Sequence, residues 1–142
     1  MAASITYRFV AKAAPAEAEK IITLYKAHGW WTRGDGPAAL NRLIRGSHCF
    51  VVAQRSGAII GMARAISDRA GDAYIQDVAV LPGHRGDGAG KGLVAAVCRR
   101  LKRDGIAWIA LIAQDNSEKF YRKLGFTTLR RAAPMLIKGA RV

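Results

Sequence analysis

The run Arg85-Gly86-Asp87-Gly88-Ala89-Gly90-Lys91 is the part of the chain best suited to chemistry. It lies between an apolar stretch, Tyr74 to Leu81, and a segment whose apolar residues recur at helical spacing, Leu93, Val94, Val97 and Leu101. A glycine-rich turn in that position lets the backbone come close to a phosphate. The exposed amides and positive dipole end of the following helix then hold the negative charge. Arg85 and Lys91 add full positive charges beside them. Two other glycine-loop chemistries fail on spacing. A P-loop needs four residues between its glycines and then Gly-Lys followed by Ser or Thr, whereas Gly90-Lys91 is followed by Gly92. A dinucleotide fold wants its fingerprint after the first strand and an acidic residue about 20 positions on, at a strand end. Here the glycines follow the fourth predicted strand, and the candidate, Asp104, falls at a helix end.

The elements that must position this loop can be read from apolar periodicity. Ile5, Tyr7 and Phe9 alternate as in a half-buried strand over Ile5 to Val10. Pro15 then opens a helix with Glu17 and Glu19 at its positive end, and Ile21, Leu24, Tyr25 and His28 at helical spacing before Gly29. The loop from Gly29 to Pro37 carries two adjacent tryptophans, Trp30 and Trp31. Leu40, Leu43 and Ile44 mark a short second helix ending at Gly46. Cys49 to Gln54 and Ile59 to Ile66 are the arms of a hairpin around Ser56-Gly57, and Tyr74 to Leu81 is a buried fourth strand. The helix after the glycine loop ends at Gly105. Ile106 to Ala113, apolar on both faces, predicts a strand covered by helices on each side. Strand, loop, helix and strand make a right-handed βαβ unit. Asp115-Asn116-Ser117 is expected to cap a helix carrying Phe120, Tyr121 and Leu124, and two strands near Phe126 to Leu129 and Met135 to Lys138 are expected to close the chain.

The chain has 142 residues, a length that suits a single domain over residues 1–142. With 23 Lys and Arg against 10 Asp and Glu, its net charge is +13. Such a field attracts polyanions, whether nucleic acid, an acidic membrane surface or a phosphorylated small molecule. No run of about 18 uncharged apolar residues is present, and the N-terminal residues lack the apolar core of a signal peptide, so a soluble cytoplasmic protein is expected, with no membrane partner. Cys49 and Cys98 read as reduced thiols, and no metal site is expected. His48 and His84 have no sequence partners that would give them a role.

Two segments together resemble a known family, the GCN5-related N-acetyltransferases. Its signature is Gln or Arg, two residues, Gly, one residue, then Gly or Ala, and it matches Arg85 through Gly90. Asn116-Ser-Glu-Lys-Phe-Tyr-Arg-Lys-Leu-Gly-Phe126 is similar to the later family segment, in which an Asn follows the fifth strand and a Phe-Tyr-x-Lys-Leu-Gly-Phe helix leads on. The Gly29-Trp30-Trp31-Thr32 loop and Ile75-Gln76-Asp77 are similar to a bacterial subgroup loosely akin to arylalkylamine acetyltransferases.

The resemblance implies an α/β (α+β) fold with a mixed, mostly antiparallel central sheet and helices on both faces, and acetyl-coenzyme A as cofactor. The pantetheine arm would pair with the backbone of Val78, Ala79 and Val80, and Asn116 would contact that arm. The pyrophosphate would rest on Arg85, Gly86, Asp87, Gly88, Ala89, Gly90 and Lys91. Asp87 departs from the Lys or Arg usual there and is expected to point to solvent. Tyr121 matches the tyrosine that returns a proton to the departing thiolate. Asp77 is the candidate for binding the ammonium or removing its proton through water, because Gln76 stands where some relatives carry a glutamate base. Trp30 and Trp31 would wall the acceptor pocket. The reaction so implied is acetyl transfer to a primary amine by direct attack on the thioester, with a small-molecule amine favoured, nucleic acid an unlikely partner and a homodimer possible. Two other readings stand beside it. One is a basic nucleic-acid or ribosome-associated binding module with a vestigial coenzyme site; the other is an acetyltransferase acting on protein amines.

Overall fold

The computed structural model describes residues 3–31 and 34–137. The elements in chain order are β1 (Ile5–Phe9), α1 (Pro15–Ala27), α2 (Pro37–Gly46), β2 (Cys49–Arg55), β3 (Ala58–Ser67), β4 (Asp72–Val80), a 3-10 turn (Pro82–His84), α3 (Ala89–Arg103), β5 (Trp108–Leu111) and α4 (Glu118–Arg122). The chain divides into two compact units, Met1–Leu111 and Ile112–Val142.

The first unit holds a five-stranded sheet in the order β1-β2-β3-β4-β5. Neighbours from β1 to β4 are antiparallel, and β4 and β5 are parallel. The parallel pair needs a crossover, and α3 supplies it. Side chains alternate across the strands, so Phe50, Val52 and Met62 join the core cluster of α1 and α2. The other face belongs to α3: a Cβ added at Gly61, next to Met62, would meet Leu93 Cδ1 of α3 at 3.0 Å. Covered on both sides, β2 is apolar throughout its middle, and Val51, Val52 and Ala53 are fully buried. The mixed, mostly antiparallel sheet with helices on both faces is therefore as expected.

Two departures lie beyond α3. Only Trp108–Leu111 of the predicted 106–113 run forms a strand, and Trp108 on it is 40% exposed. Its ladder ends at the pair Ile75↔Leu111, two residues before Asp77, whose φ is +54°. The predicted strands at Phe126 to Leu129 and Met135 to Lys138 are absent among the described residues, and Lys138 lies outside them. A short apolar run becomes a strand only when another strand pairs with it, and Met135, Leu136 and Ile137 are instead exposed.

Outside the glycine loop, a polar clamp fastens the end of α3 to the sheet. His48, 4% exposed at its side chain, places Nδ1 2.6 Å from Ser67 Oγ and Nε2 2.9 Å from Asp104 Oδ2. Asp104 is the C-cap of α3 and also accepts from Arg100 and Arg103. The bond from His48, followed by those from the arginines, holds the Asp104 carboxyl below its ordinary range. A depressed folded-state value contributes stability above the unfolded pKa of ~3.9 and loses it as pH falls through the folded value. His48→Ala should therefore lower the melting temperature by a few degrees at pH 7, as checked by scanning calorimetry. The difference from wild type should shrink as acid protonates Asp104. No helix among the described residues is long and apolar enough to cross a membrane.

Candidate functional site

The glycine loop joins β4 to α3. Gly86 and Gly88 both have φ of +87°, a left-handed conformation that ordinary side chains rarely adopt, and Gly88 is the N-cap of α3. The loop therefore meets the positive end of a 15-residue helix, where the first amides have no helical partner. Two strands brace it from behind. Tyr7 on β1 donates its hydroxyl to the Gly88 carbonyl at 3.4 Å. Gly92 makes room for that reach, because a Cβ there would stand 1.8 Å from the Tyr7 hydroxyl. At the end of β2, Arg55 Nη1 donates to Asp87 Oδ2 at 2.9 Å and lies 3.4 Å from His84 Nδ1. Asp87 is half-exposed, and its carboxylate is held by Arg55 instead of standing free in solvent. Gly92→Ala should displace the Tyr7 ring, free the Gly88 carbonyl and lower the melting temperature by a few degrees in scanning calorimetry. A Tyr7→Ala change added to it should cost little more.

Beside the loop, β4 presents an open edge. β5 pairs with it only from Asp72 to Ile75, so Gln76 to Val80 have β3 on one side and, among the described residues, no strand paired on the other. The ladder with β3 slips within this stretch: Arg64 faces Gln76 and Met62 faces Ala79, so Ala63 alone opposes Asp77 and Val78. This is a β-bulge, and Asp77 sits in it with φ of +54°. Leu81 N–H donates to the Ile60 carbonyl, so by alternation Val80 turns its own N–H and C=O to the open side, and Ala79 turns toward β3. Arg85 Nε reaches the Val80 carbonyl at 3.2 Å.

A left-handed aspartate costs roughly 1–2 kcal/mol and persists only where its surroundings hold it. Here Tyr25 donates its hydroxyl to Asp77 Oδ2 at 2.8 Å, and Arg64 Nε donates to the same oxygen at 2.5 Å. Arg64 also donates to Gln76 Oε1 at 3.1 Å. Both bonds fall on Oδ2, so they anchor the carboxylate and fix its charge, while Oδ1 accepts no hydrogen bond among the described residues. Burial first, and then the Asp77 carboxylate, push the Tyr25 phenol far above its ordinary value and keep it a donor.

Trp30 and Trp31 pack on this anchor. Trp31 stacks on Tyr25 with ring centroids 4.4 Å apart, and Trp30 meets it edge-on at 6.2 Å. Trp30 also lies 5.0 Å from His28, the C-cap of α1. His28 Nδ1 is 2.9 Å from the Leu24 carbonyl and so carries the proton, which leaves Nε2 to accept from Arg85 Nη2 at 3.4 Å. The aromatic group and the glycine loop are thus linked through Arg85.

In the second unit, Ser117 is the N-cap of α4 without a side-chain capping bond, and Asp115 and Asn116 are left-handed, with φ of +52° and +61°. The capping expected of Asp115-Asn116-Ser117 is therefore not made by a side chain. Tyr121 lies edge-on to Phe120 and Phe126, at 4.9 and 5.8 Å. Burial pushes its phenol above the ordinary value.

Tyr7, Tyr25, Arg55, Arg64 and His28 were not singled out as site residues from sequence. Tyr7, Tyr25 and Arg55 reach partners 81, 52 and 32 positions away, and His28 meets Arg85 57 positions on, whereas Arg64 bonds Gln76 and Asp77, 12 and 13 positions on. The one local signal was the polar Arg64 in the apolar β3 run, which needed a charged partner.

The family model described as the Acetyltransferase (GNAT) family matches residues 15–126. The chain belongs to that family. Histone acetyltransferase TAP1 of Glycine max is 47% identical over 81 residues, 57% of this chain and 33% of that protein. Glucosamine 6-phosphate N-acetyltransferase of Trypanosoma brucei brucei is 36% identical over 84 residues, 55% of this chain and 57% of its own length. The chain thus spans about a third of the soybean relative and just over half of the trypanosome one. Among solved structures, a GNAT-family acetyltransferase from Streptococcus pneumoniae superposes with a TM-score of 0.77 at 25% identity, covering 94% of this chain and 97% of that one.

Proposed function

We propose that this chain is an acetyl-coenzyme A-dependent N-acetyltransferase that transfers the acetyl group to a primary amine, with small-molecule amines as its acceptors. The observation that carries the reading is the left-handed Gly86–Gly88 loop at the start of α3, adjoining the open, bulged edge of β4. The fit to the cofactor follows from that geometry. A pantetheine amide can pair with the outward backbone groups of Val80 and with those a bulge leaves out of the ladder around Val78, and Ala79 lies between them. The amides from Gly86 to Lys91, together with Arg85, hold the pyrophosphate. When bound, acetyl-coenzyme A supplies an acetyl group activated as a thioester.

The protein's own part is binding, orientation and proton handling. Asp77, fixed by Tyr25 and Arg64, places negative charge where an ammonium arrives, and water carries away the proton that the amine must lose before it attacks. Trp30 and Trp31 offer faces for packing and cation–π contact, which favours an apolar or cationic amine. Asn116 contacts the pantetheine arm. Tyr121 gives its phenol proton to the sulfur as the carbon–sulfur bond breaks. A phenol kept protonated by burial suits that role, because it is competent below its raised pKa and fails above it. The alkaline fall in turnover assigned to Tyr121 should therefore lie above pH ~10, and Tyr121→Phe should remove it.

The soybean relative's name favours a second reading, transfer to a protein amine. A panel that includes basic peptides as well as small amines separates the two, since only one class should give saturable turnover at micromolar to millimolar concentrations.

The net charge of +13 is assigned to attracting anionic coenzyme A rather than to gripping nucleic acid. Steering by such a field weakens as the Debye length shrinks from ~10 Å at 0.1 M salt to ~3 Å at 1 M. Stopped-flow association of coenzyme A should slow over that range. Tight RNA or DNA binding at physiological salt that falls by orders of magnitude with modest added salt, beside salt-insensitive coenzyme A association, would instead support a nucleic-acid module.

A further inference from the structure

The glycine loop contains a residue of the wrong charge for holding an anion. Asp87 stands between the two left-handed glycines, in a loop read as a pyrophosphate cradle, where a carboxylate would repel the ligand. The structure shows where that carboxylate goes. Arg55 projects from the end of β2, with its side chain only 17% exposed, and holds Asp87 Oδ2 at 2.9 Å. Arg55 Nε is buried and has no hydrogen-bond partner among the described residues. A guanidinium placed for stability alone would be expected to satisfy such a donor. Its neighbours also belong to the loop's support: His84 lies 3.4 Å away in the turn before the loop, and Tyr7, close enough to feel the Arg55 charge, bonds the Gly88 carbonyl.

We infer that Arg55 is a positioning residue for coenzyme binding, holding the Asp87 carboxylate away from the anion cradle and neutralising it there. The inference rests on the proposed coenzyme site. In a loop with Lys or Arg at position 87 no such partner is needed, and the charge reaches the phosphates directly. In this chain the cation sits behind the loop, on another strand, and acts through Asp87. Arg55 is therefore worth more to the ligand than its own charge at that distance. Without it, an unpaired carboxylate swings beside the pyrophosphate.

The effect has a sign that a plain electrostatic or structural contribution does not share. Arg55→Gln should weaken acetyl-coenzyme A binding about tenfold in calorimetry. Asp87→Asn alone should tighten it two- to threefold, and the double variant should recover to wild-type affinity, where independent effects would leave it about three- to fivefold weaker. The use of acetyl-pantetheine, which has no pyrophosphate, should be unaltered by Arg55→Gln, whereas general damage to the fold would lower the rate with both donors. Should Arg55→Gln fail to fold, Arg55→Lys carries the test: it keeps the charge with poorer geometry and should give a smaller loss that Asp87→Asn again relieves. Binding by the wild type together with independent effects, so that the double variant stays about threefold or more weaker than wild type, would overturn the role of Arg55 and leave the coenzyme site standing. Failure of the wild type to bind acetyl-coenzyme A would overturn both.

Discussion

Gly88→Glu is expected to abolish acetyl-coenzyme A binding, with an affinity loss above ~100-fold and no ligand-induced rise in melting temperature. Two effects combine. Position 88 has φ of +87°, which costs an L-residue roughly 1–2 kcal/mol, and the new carboxylate stands at the start of α3 where the pyrophosphate should rest. The fold itself should survive, because a Cβ at Gly88 meets no atom within 4 Å. Gly88→Asn is the matched control. Asparagine tolerates the left-handed region and brings no charge, so it should retain most of the binding. Stabilisation by a ligand that binds only the folded state follows mass action, and a thermal-shift titration reads all three proteins on one scale. Equal binding by wild type and Gly88→Glu would remove the loop from the site.

Tyr121→Phe is expected to lower turnover by ~10²–10⁴-fold while leaving acetyl-coenzyme A affinity within about twofold of wild type. Phenylalanine keeps the edge-on packing with Phe120 and Phe126, so the change removes the hydroxyl and little else. A phenol helps most when a poor leaving group must be protonated as it departs. The loss should therefore be greatest with donors whose thiols have the highest pKa. Pre-steady-state thiol release separates chemistry from product release. An unchanged chemical step would reduce Tyr121 to a packing residue.

The sheet, its helices and the glycine loop were legible because their signals are local. Alternation at Ile5, Tyr7 and Phe9, Pro15 at a helix start and Gly86 to Gly90 between strand and helix each act within a few residues. The bulge at Asp77 was not legible, since nothing in Tyr-Ile-Gln-Asp-Val-Ala-Val distinguishes a strand with an extra residue from one without. It follows from Tyr25 and Arg64, which reach Asp77 from α1 and β3. The support of Asp87 was hidden for the same reason: Arg55 is 32 positions away. His48 was given no role for want of sequence partners, and its partners proved to lie 19 and 56 positions off. The runs at 126–129 and 135–137 failed in the opposite direction. Their composition suits strands, but composition does not supply a pairing partner.

The most direct test of the account is amine-dependent release of free thiol from acetyl-coenzyme A by the purified chain. The assay covers small aliphatic, aromatic and amino-sugar amines together with basic peptides. The account predicts saturable, protein-dependent release with at least one small amine, accompanied by an acetylated amine product in equal amount. Release with none of the amines, from folded protein with acetyl-coenzyme A present in excess, would contradict it.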